Sequence, residues 1–116
     1  MTRRKTGHAR GLTAETIAAL YLRCKGYRIL ERRFRTPLGE IDIIARRGGA
    51  VAFIEVKLRK THDAAAEAIH AHNQARVRQA AALYLARHPE YAGLETRFDA
   101  LMLAPGRLPQ HIVNAF

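Results

Sequence analysis

The sequence predicts an α/β domain in which helices flank a central mixed β-sheet, and three observations lead to this class. The residue patterns run in the order helix, three strands, helix, strand, which is typical of a sheet covered by helices. The Gly48-Gly49 pair joins two strand-like runs and permits the positive backbone angles of a tight hairpin. The helix predicted before the fourth strand is long enough to supply the crossover that a parallel strand requires.

The first predicted element is a helix after Thr13. Thr13 is a suitable N-cap, Glu15 lies in the first turn where the helix dipole favours a negative charge, and Gly26 ends the helix. Between these signals, apolar residues recur at helical spacing at Ile17, Leu20, Tyr21 and Cys24.

Three strands are predicted next, over residues 27–35, 40–46 and 51–58. Thr36-Pro37-Leu38-Gly39 forms the turn between the first two. In the first strand, Tyr27, Ile29 and Phe34 are expected to pack inward across an irregularity, because their spacing departs from strict alternation.

The second half of the chain is predicted to be helical and then extended. Residues 64–69 are expected to form a short helical turn, and a longer helix spans Gln74 to Arg87 and stops near Pro89. The apolar stripe of this helix consists of Val77, Ala81, Tyr84 and Leu85. A fourth strand over 97–103 and a final extended piece over 111–116 complete the chain.

Composition indicates one cytoplasmic domain. The chain has 116 residues, close to the usual size of a single domain, so we expect a flexible basic N-terminal arm over residues 1–11 and one domain over 12–116. Its only cysteine, Cys24, cannot form an internal disulfide, which suits a reducing compartment. The sequence has no long apolar run, and its basic N-terminus lacks the apolar segment of a secretory signal, so no membrane association is expected.

The charge balance points to a polyanionic partner. Twenty Lys and Arg against ten Asp and Glu leave a formal net charge of +10. Nucleic acid attracts such chains through counterion release from its phosphates, independently of base sequence. Arg32, Arg33 and Arg35 form a basic strip along the first strand, which is either a solvated face or, as we favour, a track for phosphate.

The predicted hairpin brings charged side chains together. With the loop centred on Gly48-Gly49, facing positions add to 97, so Asp42 opposes Glu55 and Glu40 opposes Lys57. Two carboxylates about 5 Å apart repel by roughly 3 kcal/mol at an effective dielectric of 20. Protonation of one acid, recruitment of Lys57 and an arginine, or a divalent cation relieves that repulsion. The alternative is an ordinary solvated face with a Glu40–Lys57 cross-strand pair.

Asp42 followed by Glu55-Val56-Lys57 resembles the PD-(D/E)XK signature of restriction-endonuclease-like nucleases. Within that group the chain resembles the YraN-type proteins, a largely uncharacterised family expected to be endonucleases, over nearly its whole length. The residues that carry this resemblance are Gly11, Ala14-Glu15, Tyr21-Leu22, Gly26-Tyr27, Gly39-Glu40-Ile41-Asp42, Glu55-Val56-Lys57 with Arg59, Arg97-Phe98-Asp99 and Asn114-Ala115-Phe116.

The resemblance implies a restriction-endonuclease-like three-layer α/β/α fold and a metal-dependent nuclease, with DNA as the expected substrate. It implies that Asp42 and Glu55 ligate Mg²⁺ or Mn²⁺, that the carbonyl of Val56 is a further candidate ligand, and that Lys57 orients the attacking water. Glu15 matches a helical glutamate that often completes such sites directly or through water; an equal alternative is a helix-start residue favoured by the dipole.

Further contacts to nucleic acid are expected around this signature. The family pattern has a lysine in the following helix where this chain has Asn73, so the expected contacts there are Gln74, Arg76 and Arg78, in addition to Arg59. Two other hypotheses remain at this point. One is a non-catalytic nucleic-acid-binding module that retains the nuclease fold, and the other is a homodimeric interaction subunit that associates through apolar strand edges.

Overall fold

The computed structural model describes residues 13–58 and 71–116, in which a five-stranded sheet lies between two helices. The elements are α1 (Ala14–Cys24), β1 (Arg28–Arg35), β2 (Glu40–Arg47), β3 (Ala50–Leu58), α2 (Ala71–Arg87), a 3-10 turn (Pro89–Tyr91), β4 (Glu95–Leu103) and β5 (Gln110–Ile112). The predicted α/β class with a mixed, helix-flanked sheet is confirmed. The arm over 1–11, the helical turn over 64–69 and Arg59 lie outside the described residues.

The sheet follows the chain order β1-β2-β3-β4-β5, and only the β3–β4 pair is parallel among these strands. Parallel neighbours cannot be joined by a tight turn, so the chain between β3 and β4 passes through α2. The β2–β3 hairpin has the predicted register, since Arg47 pairs with Ala50 and Ile43 with Ile54. Its loop therefore has two residues, and Gly48 adopts the positive φ of 57° that such a turn needs.

The helix α1 begins as expected but buries a different face. The Thr13 hydroxyl accepts a hydrogen bond from the Thr16 N–H at 3.1 Å, and Gly26, at φ 91°, follows the helix end. Ala18, Ala19 and Leu22 pack on the sheet, while Ile17, Leu20 and Cys24 of the predicted spacing are exposed. Two alanines side by side allow the helix to approach the sheet closely, which explains why the smaller residues are the buried ones.

The other face of the sheet is covered by α2. Three of the four predicted stripe residues, Val77, Ala81 and Tyr84, are buried there, and Leu85 packs against them. Their partners on the sheet are large apolar side chains of the first three strands: Phe34, Ile41, Ile44, Val51 and Phe53. The sheet is thus apolar on both faces, as expected for a three-layer arrangement.

Strand β1 contains the irregularity that its spacing predicts. Its register against β2 shifts between Ile29 and Glu31, and Arg33 has a left-handed backbone with φ 54°. As a result Ile29 packs toward α1, whereas Phe34 packs toward α2. At the C-terminal end, β5 is a short strand, and Asn114 turns the chain with φ 56°, so the final residues are not extended as predicted.

A buried polar network anchors the C-terminal segment to β4. Asp99 is fully buried and accepts hydrogen bonds from the Arg97 guanidinium (2.7 Å), His111 Nε2 (2.8 Å) and the Asn114 N–H (3.0 Å). The Arg97 guanidinium also donates to the Tyr27 hydroxyl at 2.6 Å. Burial opposes ionisation of Asp99, but these donors outweigh it and lower the pKa of this carboxyl below its ordinary value. Asp99 thus has a structural role, in joining β4 to the C-terminal segment.

Removing the Asp99 charge tests this anchor. We expect Asp99→Asn to lower the free energy of unfolding by about 3–5 kcal/mol at neutral pH, because the Arg97 charge loses its buried counterion. Because the folded carboxyl has the lower pKa, its contribution is present at neutral pH and is lost as the pH falls below the unfolded value, so the cost of the substitution shrinks in acid. Urea denaturation measures both effects. Glu95→Gln, at an exposed position of the same strand, should stay within about 0.5 kcal/mol of the wild type.

Close packing at Gly39 fixes α2 against the start of β2. A Cβ atom at Gly39 would meet the backbone carbonyl of Arg76, and neither backbone can move without shifting the helix. We therefore expect Gly39→Ala to destabilise the fold by roughly 1–3 kcal/mol in urea denaturation, as overpacking does in cores. The control is Gly93→Ala, where an added Cβ meets nothing within 4 Å. Equal effects of the two substitutions would contradict the close contact.

Candidate functional site

The candidate site lies where strands β2 and β3 separate. Their ladder runs from Arg47–Ala50 to Ile43–Ile54 and extends no further in the described pairing. Beyond that point β2 stays with β1 as far as Glu40, and β3 stays with β4 as far as Leu58. We call this opening, between Asp42 on one side and Glu55 to Lys57 on the other, the strand fork.

Asp42 bridges the strand fork with its side chain. Its Oδ2 accepts a hydrogen bond from the backbone N–H of Val56 at 2.8 Å. Because the β2–β3 ladder has ended at this point, the Val56 N–H needs an acceptor other than a strand carbonyl, and the Asp42 carboxylate is that acceptor. Asp42 was predicted to lie opposite Glu55. The contact that the structure shows is a hydrogen bond to the backbone of the next residue, Val56.

Glu55 and Lys57 form the second part of the site. The Lys57 Nζ lies 2.8 Å from the Glu55 Oε2, and Glu55 is only 8% exposed. The two side chains are two residues apart on one strand, so they share a face, as predicted. Recruitment of Lys57 is one of the three expected ways to relieve the charge repulsion, and the structure shows it.

The Asp42 carboxyl has a raised pKa. Its pKa is raised from 3.8 to about 6, chiefly because burial disfavours the charged form. The hydrogen bond from Val56 opposes this shift, while the charges of Glu15, Glu55 and Glu40 add to it in that order. Three acidic side chains thus act electrostatically on Asp42, which makes this the acidic centre of a strongly basic chain.

The predicted pairing of Glu40 with Lys57 is wrong. Glu40 lies opposite Arg35 in the β1–β2 register, and its Oε2 is 3.1 Å from the Arg35 Nε. The physical reason is the strand fork: at Glu40, strand β2 keeps β1 as its neighbour and has parted from β3. Lys57 is consequently available to Glu55.

The basic strip of β1 is engaged with protein partners. The Arg33 Nε lies 2.8 Å from the Glu15 Oε1, and the Arg32 guanidinium donates to the Thr16 hydroxyl at 2.8 Å. Contact with nucleic acid stays a prediction for Arg32, Arg33 and Arg35. It now requires these side chains to bind phosphate while they keep their protein partners. The Arg33–Glu15 pair was missed from the sequence, because an arginine with a left-handed backbone carries no signal in residue type.

The remaining predicted contacts lie on or near α2. Gln74 is half-buried in its first turns, and Arg76 is exposed beside the close contact with Gly39. The Arg78 guanidinium lies 4.3 Å from the centre of the Phe98 ring and is held there by a cation–π contact. Arg76 is therefore the member of this set that is next to the turn leading into Asp42.

Comparison with known proteins places the chain in a family. The sequence model of the uncharacterised protein family UPF0102 matches residues 14–103, most of the chain. The chain belongs to this family. A UPF0102 protein of Rhodopseudomonas palustris (strain BisA53) is 59% identical over 106 residues, which cover 91% of this chain and 82% of the relative. Another, from Methylorubrum extorquens (strain PA1), is 56% identical over 114 residues, covering 98% of this chain and 89% of the relative.

The donor set of the strand fork fits a hard divalent cation. Within residues 13–58 and 71–116, no group of three or more His, Cys, Asp or Glu side chains is arranged to hold a metal together. Mg²⁺ and Mn²⁺ prefer oxygen ligands, and Mg²⁺ often takes one or two carboxylates and completes its shell with water and substrate phosphate. Asp42 and Glu55 match this mode, and a role of Glu15 at the metal stays a prediction. The carbonyl of Val56, between Glu55 and Lys57, remains a candidate ligand.

No helix within the described parts of the chain is long and apolar enough to cross a membrane.

The raised pKa of Asp42 gives a stability prediction for this UPF0102 member in EDTA. The folded carboxyl has the higher pKa, so its ionisation penalises the folded state above about pH 6, and this penalty is absent below the ordinary value of 3.8. We expect Asp42→Asn to raise the free energy of unfolding at about pH 7.5 by on the order of 1–3 kcal/mol more than at acidic pH.

Urea denaturation at both pH values checks this prediction, with Asp42→Ala as the comparison. Alanine also removes the acceptor for the Val56 N–H, so its gain at neutral pH should be smaller than that of asparagine. If Asp42→Asn changed the free energy of unfolding by the same amount at both pH values, the raised pKa of Asp42 would be contradicted.

Proposed function

We propose that this protein is a divalent-metal-dependent hydrolase of phosphodiester bonds in nucleic acid, with DNA as the expected substrate. The observation that carries the proposal is the strand fork, where the backbone hydrogen bond of Asp42 and the ion pair of Glu55 with Lys57 bring two carboxylates and an amine together. Two carboxylates can hold a divalent cation, and an amine beside them can donate to the attacking water or the phosphate, so these groups suit metal-assisted hydrolysis of a phosphodiester.

The roles follow from the position and chemistry of each side chain. Asp42 and Glu55 would hold Mg²⁺ or Mn²⁺, which when bound lowers the pKa of a water ligand and neutralises charge on the phosphate. Lys57 would donate hydrogen bonds to the attacking water or to a phosphate oxygen. Its ion pair with the largely buried Glu55 keeps the ammonium at the strand fork before substrate arrives.

Charge supports a nucleic acid as the partner. The formal net charge of +10 attracts polyanions, yet the strand fork itself gathers acidic groups around Asp42. A site that is acidic inside a basic chain suits a phosphate ester whose charge is balanced partly by a metal ion and partly by surrounding cations. Among the described residues, exposed Arg76, whose backbone contacts the turn that precedes Asp42, is one cation that would contact the flanking backbone.

One observation favours the second candidate, a non-catalytic nucleic-acid-binding module. Asp42 accepts from Val56 and Glu55 pairs with Lys57, so the site has internal partners that hold it together without a metal. Such a module would bind nucleic acid in a salt-sensitive way and would not cleave it.

Cleavage assays separate the two functions. Purified protein is incubated with duplex, single-stranded and branched DNA and with RNA, in Mg²⁺, in Mn²⁺ and in EDTA. We expect metal-dependent cleavage that falls by about 10²-fold or more in Glu55→Gln and in Lys57→Met, because each substitution removes a group that acts on the reacting water or phosphate.

The matched control for Glu55→Gln is Glu90→Gln, an exposed acid on the 3-10 turn, which should cleave like the wild type. Cleavage that survives both Glu55→Gln and Lys57→Met would overturn the proposed site. Salt-sensitive binding with no cleavage in any metal would favour the non-catalytic module. A melting temperature that rises with Mn²⁺ in the wild type but not in Asp42→Ala would support the metal site independently of substrate.

A further inference from the structure

Arg33 has a backbone that sets it apart from the other described arginines. It is one of two residues other than glycine with positive φ in the described chain, at 54°. Arginine has none of the local hydrogen bonding that lets Asn or Asp adopt this conformation readily. A costly conformation persists where surrounding contacts require it, and such contacts surround Arg33.

The left-handed backbone of Arg33 changes the side of the sheet on which the Arg33 side chain lies. Successive residues of a regular strand point to opposite faces. Here Arg32 and Arg33 are consecutive, yet both contact the first turn of α1, Arg32 at the Thr16 hydroxyl and Arg33 at the Glu15 carboxylate, each at 2.8 Å. The unusual φ therefore turns the Arg33 guanidinium toward the helix.

The register places Arg33 next to the candidate metal ligand. The pairs Arg32–Ile43 and Phe34–Ile41 flank it in the β1–β2 ladder, so Arg33 lies across from Asp42. The Glu15 carboxylate that it holds is mostly buried, with 19% of the side chain exposed, whereas Arg33 itself is largely exposed. A mostly buried carboxylate needs a counterion, and Arg33 supplies it from the strand position beside Asp42.

We propose that Arg33 is a positioning residue whose left-handed backbone and ion pair hold the Glu15 carboxylate beside Asp42, where Glu15 would orient water around a divalent cation that Asp42 and Glu55 would hold. The inference rests on the proposed function, because it assigns Glu15 to the surroundings of that metal. Partners outside the direct ligands commonly change metal affinity by 10–100-fold when they are removed.

Metal affinity distinguishes this role from a purely electrostatic one by its sign. A cation that contributes only charge near the site repels Mn²⁺, so its removal should strengthen binding. A cation that positions Glu15 should weaken binding when it is removed. If Arg33 contacts only nucleic acid, its substitution should leave the Mn²⁺ affinity of the protein alone equal to that of the control variant.

The test titrates Mn²⁺ into full-length protein without nucleic acid and follows the free Mn²⁺ signal by electron paramagnetic resonance. The variants are Arg33→Gln, Glu15→Gln and the double variant, with Arg28→Gln as the control for charge on the same strand at its far end. Arg33→Gly is a second variant that tolerates φ 54° without strain and so separates loss of the side chain from backbone damage. Circular dichroism confirms folding of each.

We expect Arg33→Gln and Arg33→Gly each to weaken Mn²⁺ binding by about 10-fold or more, and Arg33→Gln to have no further effect once Glu15 is Gln. Affinity that stays the same or rises, as in Arg28→Gln, would overturn the positioning role and leave the proposed metal site intact. A wild-type protein that binds no Mn²⁺ would overturn the proposed function itself, and the inference with it.

Discussion

The hydrogen bond from the Val56 N–H to the Asp42 carboxylate is the interaction on which the site depends. It joins two strands at the point where their ladder has ended, so it sets the width of the strand fork as well as the position of one acid. On one side β1 holds β2, and on the other β4 holds β3, so each strand arrives with its direction already fixed. The charged groups are therefore positioned by four paired strands and not by a loop.

The electrostatics of the molecule follow from the same geometry. Arg33, Arg35 and Lys57 are each paired with a specific carboxylate, in ion pairs of 2.8 to 3.1 Å. These pairs compensate the acids that burial and proximity bring around Asp42. The excess of positive charge in the chain thus coexists with an acidic centre, and this combination is the electrostatic basis of the proposed function.

Much of this arrangement could be predicted from the sequence, because it depends on local rules. Gly48-Gly49 and the two-residue period of strands fixed the hairpin register and the shared face of Glu55 and Lys57. The end of the β2–β3 ladder at Ile43 was not predicted, because the rules for a hairpin continue its pairing to the strand ends and carry no signal for where two strands part. The buried face of α1 was misjudged because side-chain size at Ala18 and Ala19, not hydrophobicity, decides how closely that helix packs. The left-handed backbone of Arg33 has no counterpart in residue type.

The parallel pairing of β3 with β4 also has a consequence for the order in which the chain assembles. Asp42, Glu55 and Lys57 all belong to one short antiparallel hairpin, whose closure costs little chain entropy. Ile54 meets Asp99 only after α2 has been threaded across the sheet, and such distant contacts form slowly. During synthesis, the hairpin that carries the acids of the site therefore emerges and can close before β4, the strand that supports β3 along its other edge.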